Sequence, residues 1–312
     1  MIMLFGNELP RRVVRVARIA GLLFLLAACA ATSAVKKGDE ARNEFAELPE
    51  GAFAYIRINV KPARALLDSF LTRYGLGTKT VKTFFDRTDT AVAALYPPSP
   101  ASPLEDVKRR FLMVADGKNY PAALSSFSLF FNPAWQKARS VTGGKYWHSQ
   151  KNRLSLFMRK NKARISDADP FFNENRAEAP ESFRFFSAGA QVAAWITNTD
   201  FLDKTLARMD IPVTIPALAL FISAYRYEED WQAVFRLETP GPAQARGLVS
   251  VLNLVRNSLS EGYGDRIRSP GLAAFARFLL AEPPYVDGSA LILKSPVIPE
   301  AALAGLIASF RI

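Results

Sequence analysis

The sequence predicts an α+β fold made of two related halves, each an antiparallel sheet with helices packed on one face. Three observations predict it. Short runs rich in aromatic and β-branched residues alternate with segments of helical periodicity. The order of these segments recurs in the second half of the chain. With 312 residues, 49% of them hydrophobic, the chain has room for two cores after its amino-terminal segment is set aside.

The elements follow in order. AFAYIRINV (52–60) reads as a strand with Phe53, Tyr55 and Arg57 on one face and Ala54, Ile56 and Ile58 on the other. KPARALLDSFLTRYG (61–75) reads as a helix. Pro62 suits its first turn, Leu66, Leu67, Phe70 and Leu71 form an apolar stripe, and Gly75 ends it. A second helix spans 78–85 and a strand spans 89–96. PPSPASPLED (97–106) is a loop, because proline has no ladder donor to give. A strand (109–116) and a helix (120–131) come next. KYWHSQ (145–150), RLSLFMRK (153–160) and KARIS (162–166) are strands joined by tight turns.

The polar, acidic stretch 168–182 separates the two series. AQVAAWITN (190–198) is a strand and FLDKTLARM (201–209) a helix capped by Thr199 or Asp200. Strands at 217–227 and 231–239 flank a turn at Glu228, Glu229 and Asp230. The segment 241–259 is the clearest helix, with Leu248, Val251, Leu252, Val255 and Leu259 on one face. A helix (271–280), a strand or hairpin through Asp287-Gly288 (285–295) and a helix begun near Pro299 (299–310) close the chain. Each series reads as β-α-β-β-α-β, the ferredoxin-like order, which suggests an internal duplication. The expected boundaries are 1–28 for a removed signal, 29–48 for a flexible tether, 49–178 for the first unit and 179–312 for the second.

The amino-terminal segment sets the address. The apolar run from Ile19 to Ala28 is about ten residues, far below the roughly 20 that a spanning helix needs. Arg11, Arg12, Arg15 and Arg18 precede it, the pattern of a secretory signal. It ends in Leu26-Ala27-Ala28-Cys29, and Cys29 is the only cysteine of the chain. This motif resembles the lipobox of bacterial lipoproteins. The resemblance implies diacylglyceryl transfer to the Cys29 thiol, cleavage before it, and anchoring in the cell envelope, on the periplasmic face or at the outer membrane. A single acyl chain holds marginally and two hold firmly. Residues 30–40 are small, polar and charged, as a flexible tether requires.

The net charge is +11, with 40 Lys and Arg against 29 Asp and Glu. A basic exported protein favours anionic surfaces, an anionic lipid or an acidic wall polymer; an envelope protein is a further candidate partner. Nucleic acid belongs to another compartment. The densest cationic region holds Lys145, Lys151, Arg153, Arg159, Lys160, Lys162 and Arg164, a polyanion patch or simply a solvated hairpin face.

Catalytic signals are sparse. His148 is the single histidine, and no G-x-S-x-G accompanies it. Zinc sites want Cys and His, and both are nearly absent. The acidic stretch 167–178 lacks the turn glycine of a calcium loop, and the Gly-Lys stretches at 75–79 and 143–145 lack P-loop spacing. Glu228, Glu229 and Asp230 lie in a turn rather than as a spaced catalytic pair. The 23 phenylalanines fall largely in pairs, which suits a core or an apolar cavity between the halves. The expectation is a lipid-anchored, non-enzymatic binding or structural module without cofactor or metal. A carrier for an apolar or anionic small molecule is the alternative, and a hydrolase using His148 or an acidic pair comes after it.

Overall fold

The structure, a computed structural model, describes residues 45–73, 79–96, 110–120, 135–150, 153–171, 175–199, 216–228, 230–260 and 281–300. Thirteen strands are seen among them. They are β1 (Ala54–Asn59), β2 (Thr88–Leu95), β3 (Phe111–Gly117), β4 (Gln136–Arg139), β5 (Lys145–Ser149), β6 (Leu154–Met158) and β7 (Lys162–Ser166). After these come β8 (Val192–Ile196), β9 (Ala219–Tyr227), β10 (Asp230–Glu238), β11 (Tyr285–Asp287), β12 (Ala290–Lys294) and β13 (Ile298–Pro299). The described helices are α1 (Arg64–Arg73), α2 (Lys79–Asp86), α3 (Glu181–Phe186) and α4 (Pro242–Ser260).

The strands form one antiparallel sheet in the order β11-β12-β10-β9-β8-β1-β2-β3-β7-β6-β5-β4, with β13 beside β10. This corrects the expected pair of ferredoxin-like halves and the internal duplication drawn from them. A ferredoxin-like unit needs a parallel crossover after its first strand. Here the helical excursion between β1 and β2 returns to the end it left, since Asn59 pairs with Thr90, and the two strands run antiparallel as neighbours. The halves do not close separately either. β1 pairs with β8 from Ala54–Ile196 to Ile58–Val192, so one sheet runs through both.

The centre of this sheet is covered on both faces. On one face, Ala54, Ile56 and Ile58 of β1 join Leu66, Leu67 and Leu71 of α1, Phe84 of α2, Leu248 of α4 and Trp231 of β10. On the other, Tyr55 of β1 joins Phe45, Leu48, Phe183 of α3, Ala193 and Phe221. A strand buried on both faces carries a continuous apolar run instead of alternation, and Val192–Ile196 does so with two small residues, Ala193 and Ala194. Small side chains there let the covering layers approach closely.

Arg57 is the exception within this centre. It stands on β1, only 7% exposed. Its guanidinium donates to the carbonyls of Ser187 at 3.0 Å and Ala190 at 2.8 Å, just past α3. A cation suits carbonyls that follow a helix C-terminus.

Turn chemistry sets the outer hairpins. Glu228 adopts φ +54 between β9 and β10, and Gly288 adopts φ +60 between β11 and β12. Of the acidic cluster, Glu228 thus sits in the turn, Asp230 opens β10 opposite Tyr227, and Glu229 lies outside the described residues. The predicted helices at 201–209 and 271–280, and nearly all of those at 120–131 and 299–310, lie outside the described residues. Pro299 itself pairs with Asp230 in β13.

Candidate functional site

The cationic patch falls on the flank of the sheet formed by β7, β6, β5 and β4. Register sorts its side chains by face. Arg164 lies opposite Phe157, and His148 lies opposite both Ser155 and Gln136, on one face. Trp147 lies opposite Leu156 and Lys137, and Lys145 opposite Arg139, on the other.

The structure divides the predicted patch. Lys162 and Arg164 share one acid: Lys162 Nζ donates to Glu47 Oε1 at 2.8 Å and Arg164 donates to Glu47 Oε2 at 3.1 Å. Arg164 also lies over the Phe171 ring, whose edge meets Phe157. These two cations hold the segment that enters the fold at Phe45. Arg153 is exposed in the β5–β6 turn with φ +48, at the opposite end of the strands. Lys151 lies outside the described residues, as do Leu26, Ala27, Ala28 and Cys29.

Lys145, Arg159 and Lys160 remain together. β5 begins at Lys145 and its antiparallel neighbour β6 ends at Met158, so the β4–β5 and β6–β7 turns share one end of the sheet. All three side chains are exposed there. Arg159 sits over the Phe157 ring, and none of the three has an ion pair among the described residues.

Sequence reading missed two further cations of this flank, Lys137 and Arg139, because it placed no strand at 136–139. The signal was present. Gly143-Gly144 between two alternating runs marks a hairpin, and Ser140 N–H donates to Gly144 O at 2.8 Å to close it. At its apex stands Val141, 98% exposed.

Burial pushes the Glu47 carboxyl up, but the hydrogen bonds and charges of Lys162 and Arg164 outweigh it and hold the group below its ordinary value of 4.5. A depressed folded value contributes stability that is complete above the ordinary value and lost as the pH falls below it. Glu47→Gln is therefore expected to destabilise the protein at neutral pH, with the deficit closing in urea titrations carried into acid. A deficit that stays constant with pH would assign the loss to packing instead of charge.

His148 Nδ1 lies 3.0 Å from Ser155 Oγ across the β5–β6 pair. The contact has the length of a catalytic dyad, but Ser155 is 0% exposed, and Gln136 occupies the other flank of the histidine. The described residues hold no cluster of three or more His, Cys, Asp or Glu placed to bind a metal ion, and no helix among them is long and apolar enough to cross a membrane.

No family model matches the chain, and no curated protein matches it. Solved structures do. Crystal form III of TP0453 aligns with a TM-score of 0.54 at 16% identity, covering 85% of this chain and 98% of that one. Crystal forms IV and I both align at 0.52, with 17% and 18% identity, covering 85% of this chain and 96% of theirs. The chain shares its fold with TP0453.

Proposed function

We propose that the protein is a lipoprotein of the bacterial cell envelope, anchored through acylated Cys29, and that it binds an anionic partner without catalysing a reaction. One observation carries the binding role. Arg139, Lys145, Arg159 and Lys160 gather, exposed and without an acidic partner among the described residues, at one end of the sheet. On the neighbouring strand β7, Lys162 and Arg164 are matched by Glu47. Unmatched like charges raise the local potential and draw anions. The carrier reading finds no comparable support, because β1 and β8, which join the halves, are hydrogen-bonded neighbours in the doubly covered centre. The hydrolase reading meets a buried Ser155.

The anchor is tested by intact mass and membrane partitioning of the native protein against Cys29→Ser. The expected result is a mature chain beginning at Cys29 with added acyl mass, found with membranes, and a variant that loses both. An unmodified native chain cut elsewhere would make this a soluble exported protein and sink the anchored reading.

A further inference from the structure

We infer that the β4–β5 turn is a membrane-contacting tip: Val141 enters the interfacial layer of an anionic bilayer while Arg139, Lys145, Arg159 and Lys160 engage the lipid headgroups. This rests on the anchored reading above and names its partner.

The tip is built and then left bare. Gly143 N–H donates to Ser140 O at 2.9 Å, Thr142 N–H donates to Ser140 Oγ at 3.2 Å, and Gly143 takes φ +86. The turn therefore holds its shape without Val141, whose side chain is almost wholly in water. Its turn neighbours Ser140, Thr142, Gly143 and Gly144 are the small or polar residues that turns favour. A branched apolar residue at the apex serves no packing purpose there.

The charges beside it point the same way. Arg139 and Lys145 stand directly opposite each other across β4 and β5. Like charges in that position destabilise a sheet, and an anionic surface turns the repulsion into attraction. Arg159 and Lys160 add two more cations at the same end. Lys137 and Arg139 also guard the outermost strand against pairing with another chain. That role accounts for neither Val141 nor the two cations on the inner β6–β7 turn. A soluble polyanion would use the cations and leave Val141 idle, so the apolar apex favours a bilayer.

The anchor lies within reach. Fifteen residues separate Cys29 from Phe45, so whatever their conformation the two lie no more than roughly 55 Å apart. The chain then joins the fold through Glu47 on Lys162, the first residue of β7 beside these turns. An acylated Cys29 would keep this end of the sheet within that distance of the membrane.

The test uses the full chain in two forms. In the acylated protein, an environment-sensitive probe is placed on Val141→Cys, and on Leu218→Cys as a control. Leu218 is exposed next to the start of β9, at the far end of the sheet. In vesicles containing phosphatidylglycerol, lipid-borne quenchers are expected to reach position 141 and not position 218. In pure phosphatidylcholine they reach neither. The second form carries Cys29→Ser, which removes the anchor and reports the turn alone. Its binding to the anionic vesicles is expected to fall about fivefold for each cation removed, hence roughly 25-fold in Arg139→Gln/Lys145→Gln, and to vanish at high salt.

A probe at 141 that stays aqueous on anionic vesicles overturns the inference, as does equal quenching at both positions. Binding to inorganic polyphosphate that the double variant abolishes, with the 141 probe still in water, assigns the surface to a soluble polyanion and overturns it too. Should native Cys29 prove unacylated, vesicle binding by the Cys29→Ser chain still decides the tip by itself.

Discussion

Phe183→Ala is expected to cost about 3–5 kcal/mol of stability, the range for emptying a large aromatic from a packed core. Phe183 is 1% exposed and belongs to the core on the α3 side of the sheet. Its ring meets Phe45 at 5.6 Å, Phe221 edge-on at 5.4 Å and Trp195 at 6.5 Å. Phe45 in turn meets Tyr55 at 5.5 Å. The alanine variant removes the ring that links α3, the entering chain segment and the sheet. In urea the midpoint should fall with the slope unchanged. The melting temperature should fall on the order of 10 °C for a chain of this size. Trp195 fluorescence reports the same event locally. A loss below about 1 kcal/mol would mean that the layer over this face collapses into the space and is not rigidly packed.

Arg57→Met is the second large effect, and it acts through polarity instead of volume. Methionine keeps most of the apolar stem and removes the guanidinium. The Ser187 and Ala190 carbonyls each lose a charged donor. Such bonds contribute roughly 1.5–3 kcal/mol apiece, so a net loss of about 3 kcal/mol is expected. The carbonyls keep other donors, Ala190 N–H on Ser187 and the Asn59 side chain on Ala190, which limits the damage. The change should concentrate on residues 187–191, where amide exchange will quicken before global unfolding. Arg57→Lys keeps the charge but not the planar fork and should recover part of the loss. If methionine is neutral, the burial cost of the cation cancels its bonds.

Much of the local structure was legible. β1 declared itself through aromatic and β-branched residues, and its face assignment for Tyr55 against Ile56 and Ile58 matches the two cores, whereas Phe53, placed with Tyr55 and lying just before the strand, packs on the Ile56 side. The turns at Glu228 and Asp287-Gly288 stood out by composition, and α4 by its stripe, of which Leu248 is buried and Leu252 packs on the core. The assembly was not legible. Ala193 and Ala194 are small and apolar toward both faces, which is the mark of a doubly covered strand, but nothing in them says that β1 is the neighbour. α3 is six residues long, too short to show a helical period, and it hid behind the polar stretch assigned to 168–182.

The candidate site was half legible for the same reason. The cations were visible, but which of them are spoken for was not. Glu47 lies 115 residues from Lys162 in sequence, and no local pattern announces that pairing. Arg139 and Val141 were missed with β4, although the glycine pair beside them marked the hairpin.

The pairing of β1 with β8 has a kinetic side. A chain delivered from its amino terminus presents Ala54 well before Ile196, the residue it must meet. Loop closure of that length is slow. During the delay β1 presents a row of bare N–H and C=O groups, the template on which strands of other molecules assemble. Assembly of the first seven strands therefore leaves an adhesive margin until the second half arrives to cover it. Holding chaperones would matter more to this chain than to one whose halves close on themselves.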